Sequence, residues 1–523
     1  MYILVHAVFP RGMRGMIRRQ DVTIGVDVGT SGCKAVVLTG RGRVLHTATA
    51  TYPTRRSVEG EVTQDPRDWL VAVRRTLREC ARTARGQSLS GIGVTAPAHV
   101  AVLCDAAGEP LARSLLAFDA RPAATARRLR DRYGEELFEA TFVDLSAGWT
   151  LAQLAWLRGE APAIWPSIRW LLTQKDWIRF RLSGVACIDT SDAAGTAMVD
   201  QRDRCWLEPV CADIGLRPEQ LPPIVASTAP AGSLTRGWAQ ATGLAEGTPL
   251  VAGATDTAAE LISVGATAAG ASLVKVASTG TVVGVSADPI VHRRLLTYPH
   301  AMPGQWYTLA ATNTATVAYQ WLRETVFAAP ASSPAVTYED IDRRASHIPA
   351  GSEGVLFLPF LEGERSPYFD AHLRAAFLGL SSAHGRGHMA RAVLEGVALS
   401  LRGCRDVMET AGLPIRSPFL AGGGVSSKLW RTILVSALGV DGVLADPQGP
   451  AVGAAILAAA AGATSAADVQ ERIVSPRHRT VRPVPEWVST YASLGRKYRL
   501  AAEAVTEVSH QLAGGVGEPT GRA

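Results

Sequence analysis

The stretch VTIGVDVGTSGCKAVVLTGRGRVL, residues 22–45, predicts three short β-strands joined by two turns. At its start Val and Ile alternate with Thr, Gly and Asp, which is the period of a strand with one buried face. The small residues GTSG at 29–32 then form a loop, and GRG at 40–42 turns the chain a second time. We therefore predict an antiparallel meander whose first loop is rich in backbone N–H groups and hydroxyls.

The same arrangement recurs near the middle of the chain. The stretch ASLVKVASTGTVVGVSAD, residues 271–288, again predicts a strand, a small polar loop and a strand. A third, glycine-rich loop follows in PFLAGGGVSSKLW at 418–430, between a short strand and a helix. Two separated copies of one pattern indicate a duplicated α/β architecture. We place its two domains at residues 21–262 and 263–512.

The ends of the chain and its apolar runs bear on where the protein works. Residues 1–20 place an apolar stretch before the charges, the reverse of a secretory signal, so either translation starts at Met16 or these residues are loose. We predict flexible termini at 1–20 and 513–523. The longest apolar run, AVGAAILAAAAGA at 451–463, is too short and too alanine-rich to span a membrane and predicts a buried helix.

Composition excludes several classes of function. The 523-residue chain has a formal net charge of only +6 and no run of five basic residues, so we predict no nucleic-acid partner. Its seven cysteines show neither a CxxC pair nor zinc-ligand spacing, which indicates reduced thiols and a cytoplasmic location.

The two hairpin loops have the chemistry of a phosphate cradle. Backbone N–H groups of a Gly/Ser/Thr loop can point at one anion, and the hydroxyls of Thr30 and Ser31 add donors. Lys34 adds a positive charge in a chain where lysine is scarce. An aspartate that ends a strand, here Asp27, can hold magnesium, usually through water. One such loop alone is more often a plain tight turn, but three of them favour a nucleotide phosphate site.

Residues 375–396, AAFLGLSSAHGRGHMARAVLEG, match the C-terminal signature of the FGGY carbohydrate kinases. Further blocks stand in the order of that family, namely TQDPRDW at 63, QKDWIRFRLSG at 174, DTSDAAGTAMVD at 189 and FLPFLEGERSP at 357. The chain thus resembles this family over nearly its whole length. The resemblance implies an α/β fold with two ribonuclease-H-like domains of the actin-like ATPase type, which close on ATP and Mg²⁺ in the cleft between them.

The resemblance also implies the proton acceptor of the phosphoryl transfer, Asp256 in GATDTAAEL. The local sequence agrees, because Thr257 and Glu260 have the spacing of a capping box and predict a helix that begins just after Asp256. The dipole of that helix would favour the ionised carboxylate.

Other site residues follow from the same resemblance. Asp27 would organise magnesium. The phosphates would face Thr30, Ser31 and Lys34 in the first loop and Thr279, Gly280 and Thr281 in the second. The backbone at Gly422, Gly423 and Gly424 would approach the adenosine closely, since no Cβ stands in the way.

The substrate pocket is less well defined by the sequence. The family phosphorylates sugars and polyols. Members that act on xylulose have a G-Q-M-H-G segment at the sugar, and in this chain only its histidine, His99, is retained, preceded by Ala98. A second pocket block retains Asp119 and Arg121. These matches predict a ketopentose such as D-xylulose as the substrate. Another ketose, a short polyol or an aldonate such as gluconate remains an alternative.

Two further interpretations stay open. Thr316 and Val317 occupy positions where family members usually have glycines near the phosphates. The chain could therefore be a non-catalytic sugar or nucleotide sensor that descends from such a kinase. A homodimer is a possible assembly, because related kinases are often dimers.

Overall fold

Two mixed β-sheets of seven strands each form the centres of the two domains. The computed structural model describes residues 21–328, 335–446, 448–461 and 477–514. Our expectations for residues 1–20, including a start at Met16, lie outside these ranges, as do those for the chain beyond 514. None of the helices within the described ranges is long and apolar enough to cross a lipid bilayer.

The first domain contains sixteen strands, many of them short, and eight helices. The strands are β1 (Asp21–Val28), β2 (Gly32–Thr39), β3 (Val44–Thr51), β4 (Arg55–Arg56), β5 (Val62–Gln64), β6 (Ser88–Ala96), β7 (Ala101–Cys104), β8 (Ser114–Leu115), β9 (Trp170–Thr173), β10 (Ile188–Asp189), β11 (Val199–Asp200), β12 (Cys205–Trp206), β13 (Ile224–Val225), β14 (Pro230–Ser233), β15 (Pro249–Val251) and β16 (Ala254–Thr255). The helices are α1 (Pro66–Ala84), α2 (Ala123–Thr141), α3 (Thr150–Glu160), α4 (Gln174–Ser183), α5 (Thr190–Ala194), α6 (Glu208–Asp213), α7 (Arg236–Thr242) and α8 (Asp256–Val264).

The second domain is built from strands and helices in a similar order. Its strands are β17 (Ser272–Val276), β18 (Gly280–Ser286), β19 (Leu296–Pro299), β20 (Trp306–Thr312), β21 (Leu356–Leu358), β22 (Ala376–Leu378), β23 (Phe419–Ala421), β24 (Gly442–Asp446) and β25 (Arg477–Val481). Its described helices are α9 (Thr316–Thr325), α10 (Tyr338–Ser346), α11 (Arg386–Thr410), α12 (Lys428–Leu438), α13 (Pro450–Ala459) and α14 (Pro485–Gly514).

The predicted duplication is present in the strand order. In the first sheet β1, β2 and β3 form an antiparallel meander, and β6 and β15 continue the sheet parallel to β1. In the second sheet β17, β18 and β20 form the matching meander, and β23 and β24 add the matching parallel strands. Each sheet therefore presents one hairpin loop, after β1 and after β17, at the same place in its topology.

The two faces of β1 explain its residue alternation. Val22, Ile24 and Val26 are fully buried in a cluster that includes Trp69 of α1. The opposite face, at Gly25, lies so close to helix α13 that an added Cβ would stand 1.8 Å from the Ala451 carbonyl oxygen. Only glycine fits this close approach of backbone to backbone.

Helix α13 comes late in the chain, after β24 of the second sheet, but packs on the first domain. Its residues 451–458 are all buried, which confirms a buried helix in this apolar run, although 462 and 463 lie outside the described residues. The helix packs on the first domain at two further positions, where a Cβ at Gly93 would meet the Ala454 carbonyl oxygen at 2.0 Å and a Cβ at Gly453 would meet that of Ala259 at 1.7 Å. A segment late in the chain thus forms part of the core of the first domain.

Candidate active site

A cavity of about 250 Å³ lies between the two domains and collects residues from both. Its walls include six of the residues singled out in the sequence, namely Thr30, Ala98, His99, Asp256, Thr279 and Thr281. The two hairpin loops therefore face one space, with the first loop and Asp256 on one side and the second loop on the other.

Asp256 is the first residue of helix α8, and Thr255 precedes the helix as its N-cap. The Asp256 carboxylate lines the cavity and accepts a hydrogen bond of 2.7 Å from the N–H of Thr257. The predicted capping box is wrong, because the helix starts one residue earlier and the Glu260 carboxylate lies 2.6 Å from the Lys275 ammonium instead. The helix N-terminus still favours a negative charge at Asp256.

A buried cluster of one lysine and three aspartates lies in the first domain, next to the loop that leads to Asp256. The Lys175 ammonium lies 2.5 Å from Asp176, 3.1 Å from Asp189 and 3.2 Å from Asp192. The carboxylate oxygens of the three aspartates lie within 4.8 Å of one another, as in a metal site, but the ammonium already occupies the space among them. Burial raises the pKa of Asp192 well above its ordinary value, against the opposing effect of Lys175. We assign the cluster a structural role.

The cluster holds the loop that leads to Asp256. The Lys175 ammonium donates to the Ala252 carbonyl at 3.0 Å. The Ser191 hydroxyl donates to the Asp189 carboxylate at 2.7 Å and accepts from the N–H of Thr255 at 3.0 Å. The residue directly before Asp256 is thus fixed through Ser191 to a buried carboxylate.

Asp27, at the end of β1, has the chemistry expected of a magnesium ligand. Its Oδ1 is buried and has no hydrogen-bond partner among the described residues. Burial, and next the negative charge of Asp256, raise the pKa of Asp27 to about 7, against the charge of Lys275. A buried carboxylate oxygen without a partner, beside other carboxylates, fits a divalent cation, which would restore the ionised form.

The first loop is a tight turn with exposed polar side chains. The N–H of Gly29 donates to the Gly32 carbonyl at 3.0 Å, and Gln64 donates to the Thr30 carbonyl at 2.7 Å. The side chains of Ser31 and Lys34 are exposed and do not line the cavity. Only Thr30 of the predicted first-loop set reaches the cavity wall.

In the second hairpin loop and the triple-glycine loop, most of the glycines are required by close packing. A Cβ at Gly280 would lie 2.6 Å from Thr312 Cγ2, and one at Gly424 would lie 2.5 Å from Val276 Cγ1. Gly422 has a φ of +89° and approaches the Val276 carbonyl oxygen. Gly423 alone faces open space, with no heavy atom of the described residues within 4 Å of its Cβ position. Of the triple glycine, Gly423 is therefore the residue whose surface remains free for a ligand.

His99 lies in the wall of the cavity and is held by residues of both domains. Its Nδ1 lies 2.8 Å from the Gly195 carbonyl, and its Nε2 lies 3.1 Å from the Tyr298 hydroxyl. Because a carbonyl only accepts, Nδ1 bears the proton and Nε2 accepts from Tyr298. Burial lowers the pKa of His99 to about 4, so the ring is neutral. The Trp149 ring packs edge-on at 4.2 Å between centroids.

Asp119 lies beneath the cavity wall. Its fully buried carboxylate accepts hydrogen bonds from the N–H of Val62 at 2.9 Å and from Arg121 at 2.7 and 2.9 Å. The Arg121 guanidinium in turn lies 4.5 Å from the centre of the Trp156 ring. The cavity itself is reached by Ala117 and Phe118, the residues directly before Asp119.

Sequence reasoning missed several polar residues of the cavity, including Gln174 and Lys275. Gln174, in the QKDW block, lines the cavity, and its Nε2 is buried without a hydrogen-bond partner in the described part of the chain. Lys275, on β17, also lines the cavity, whereas we had assigned the phosphate charge to Lys34. The position of Lys275 opposite Thr281 in the second hairpin was a signal that could have identified it.

The protein has the two ribonuclease-H-like domains of the actin-like ATPases, and this fold is shared with solved kinases. The chain belongs to the FGGY family of carbohydrate kinases, whose N-terminal domain matches residues 22–263 and whose C-terminal domain matches residues 273–462. It is therefore a carbohydrate kinase that uses ATP with Mg²⁺.

Three comparisons locate the chain within this family. It is 29% identical to the xylulose kinase of Bacillus subtilis over 83% of this chain and 87% of that protein. A crystal structure of a xylulose kinase from Rhodospirillum rubrum is 28% identical with a TM-score of 0.83, and covers 94% of this chain and 100% of that one. The gluconokinase of B. subtilis is 25% identical over 79% of this chain and 82% of that protein.

Proposed function

We propose that this carbohydrate kinase phosphorylates a ketopentose such as D-xylulose, with Asp256 as the general base. The observation that supports this most is the Asp256 carboxylate at a helix N-terminus, in the wall of the cavity that threonines of the two hairpin loops also line. Similarity to xylulose kinases over most of the chain supports the choice of substrate.

The proposed reaction is a direct transfer. The oxygen of a sugar hydroxyl bonds to the γ-phosphorus of ATP as the bond from that phosphorus to the β–γ bridging oxygen breaks. The hydroxyl proton passes to the Asp256 carboxylate, and ADP leaves with the bonding electron pair. Asp27 would hold Mg²⁺, which would supply positive charge to neutralise the phosphates. Residues Thr30, Thr279 and Thr281 orient the phosphates, and contact between the domains excludes water.

The residues around His99 in the cavity wall would contact the substrate. The unpartnered Nε2 of Gln174 can donate to a sugar hydroxyl, and the backbone at Ala98 lies beside it in the wall. His99 would contact the substrate through the ring edge or by exchanging its bond to Tyr298, since both ring nitrogens have partners. Asp119 would shape the pocket through Phe118 rather than by a direct bond.

The test is ADP release measured across a panel of ketoses, polyols and aldonates. D-xylulose should give the highest kcat/KM, and Asp256→Asn should lower kcat by about 10³-fold or more while ADP still binds. Asp288→Asn, at an exposed position, is the matched control and should retain full turnover. Unchanged turnover in Asp256→Asn would remove the proposed base.

A second candidate substrate is an aldonate such as gluconate. The gluconokinase similarity favours it, although at lower identity than the xylulose kinases. A kcat/KM for gluconate above that for every ketose in the same panel would replace the first proposal. No ADP release above background with any compound would favour a sensor that descends from a kinase.

Two further predictions concern the location of the protein in the cell and its oligomeric state. All seven cysteines are free thiols, six of them buried, which supports a reducing, cytoplasmic location. A homodimer stays a prediction, and light scattering of the purified protein would test it.

A further inference from the structure

Lys275 is a partly buried cation in the wall of the cleft. It lies on β17 opposite Thr281 of β18, and both side chains line the cavity that contains Asp256. Its side chain retains 24% of its exposure, so the ammonium can still be reached from the cavity. Among the described residues, it is the lysine that lines this cavity.

The surroundings of Lys275 are strongly acidic. Its Nζ lies 2.6 Å from the Glu260 carboxylate, and Asp256 and Asp27 are its next charged neighbours. Burial works against the charge of Lys275, yet the three carboxylates together raise its pKa above the ordinary value. The side chain is therefore a permanent cation at neutral pH.

The pair joins the two domains. Glu260 lies on α8 within the N-terminal family domain, and Lys275 lies within the C-terminal one. Contact between the domains thus sets the distance from Lys275 to Asp256. A second pair across the domains, Arg293 with Glu135, lies at the surface with both side chains about half exposed. It offers a matched control without access to the cavity.

We propose that Lys275 is a further catalytic residue that binds the oxygens of the transferred phosphoryl group, and that Glu260 holds it in position. The inference rests on the proposed function. A cation fixed before the reaction stabilises the charge that spreads over the phosphoryl oxygens in the transition state, without reorganisation at that moment. Lys275 forms no covalent bond and transfers no proton.

A pair of substitutions separates this role from a purely structural bridge. If Lys275 binds the phosphoryl group, Lys275→Met should lower kcat by about 10²- to 10³-fold. Glu260→Gln should lower kcat by less than tenfold, and the double variant should stay as slow as Lys275→Met. If the pair serves only as a structural bridge, the double variant should instead regain activity relative to Lys275→Met, because removing both charges leaves no buried unpaired ion. A double variant within tenfold of the wild-type kcat would therefore overturn the proposal.

Controls and a binding measurement complete the test. Arg293→Met and Glu135→Gln should leave kcat unchanged, and Lys275→Arg should restore part of the loss. Calorimetry without sugar should show that Lys275→Met binds ADP within about threefold of wild type. It should bind ADP with Mg²⁺ and aluminium fluoride, a mimic of the transferred group, at least tenfold more weakly. Equal affinity of both proteins for the mimic would also overturn the proposal.

The proposed function and the proposed role of Lys275 can be refuted independently of each other. If the wild-type protein phosphorylates no sugar in the panel, the proposed function fails. The aluminium fluoride comparison still decides the role of Lys275 in that case, because it needs no acceptor sugar.

Discussion

The hydroxyl of Tyr298, on strand β19 of the second domain, lies 3.1 Å from Nε2 of His99 in the first domain. The Tyr298 ring also stacks on Trp149, with 6.3 Å between ring centroids and an interplanar angle of 20°. The part of the cavity wall around His99 is thus completed by an aromatic residue from the opposite domain. His99 is half-buried in the cavity wall, and the Tyr298 hydroxyl is the single donor to its Nε2 among the described residues.

We expect Tyr298→Phe to lower the free energy of unfolding by about 1–3 kcal/mol. The substitution keeps the stacked ring but removes the hydroxyl of the buried Tyr298 and leaves the half-buried Nε2 of His99 without its donor. Urea denaturation followed by tryptophan fluorescence measures the loss. Tyr133→Phe is the control, because its hydroxyl bonds to Asp213 at a half-buried position and should cost less. Equal effects of the two variants would contradict the assigned role of the Tyr298 hydroxyl.

The pH dependence of stability should reveal buried neutral histidines. His300 donates from Nε2 to the Ala266 carbonyl and accepts at Nδ1 from the N–H of Met302 at 2.8 Å. Burial lowers the pKa of His300 to about 4, as for His99. Between pH 6.5 and 4 the unfolded chain binds protons that the folded protein excludes. The contribution of each histidine to the free energy of unfolding should therefore fall as the pH is lowered through this range, by up to about 3 kcal/mol. Asp27, whose pKa is raised to about 7, acts in the opposite direction.

The contribution of His300 can be isolated by substitution. Urea midpoints at pH 7.5 and pH 5 give the pH-dependent loss for each protein. His300→Gln should show a smaller loss than wild type, whatever its stability at pH 7.5, while His347→Gln, at an exposed position, should keep the full loss. An unchanged difference between the two pH values in His300→Gln would show that this ring does not exclude the proton.

Local pattern was enough to predict the duplicated sheets, because strand alternation and loop composition are properties of neighbouring residues. It also brought Thr30 and Thr279 to attention, since each lies in the loop after the first strand of its hairpin. Asp256 was identified through the family resemblance. The family resemblance supplied their expected roles.

Partner choice over long distances could not be predicted from the sequence. Thr257 and Glu260 have capping-box spacing, yet Glu260 binds Lys275 because the second domain brings a cation to that face of α8. Likewise, helix α13 lies late in the chain and packs on Gly25 of the first strand. These contacts depend on the arrangement of the two domains, which no local window contains.

The triple-glycine loop offers a test that separates packing from ligand access. Gly424→Ala should lower the free energy of unfolding by about 1–3 kcal/mol, because its Cβ would lie 2.5 Å from Val276. Gly423→Ala should leave stability nearly unchanged, since its Cβ position is open, but should weaken ADP binding several-fold if the adenosine lies there. Denaturation and calorimetry measure the two quantities. Normal ADP affinity in Gly423→Ala would contradict the predicted contact with the nucleotide.

The last prediction concerns the buried cluster of one lysine and three aspartates. Lys175→Met removes the ammonium that lies among Asp176, Asp189 and Asp192. Asp176 keeps the buried Arg179 guanidinium at 3.3 Å, whereas Asp189 and Asp192 lose the cation that they contact. We expect the free energy of unfolding to fall by about 3–5 kcal/mol, or the protein to be recovered only in aggregates. Lys428→Met removes an exposed lysine and should cost less than about 0.5 kcal/mol.

A compensating substitution distinguishes charge from packing in this cluster. Burial raises the pKa of Asp192 well above its ordinary value, so neutralising this carboxylate should cost little. The double variant Lys175→Met, Asp192→Asn should therefore be more stable than Lys175→Met alone, because it buries one negative charge fewer. If the double variant is instead the less stable of the two, the lysine stabilises the fold through its hydrocarbon packing and its bond to the Ala252 carbonyl rather than by neutralising the aspartates.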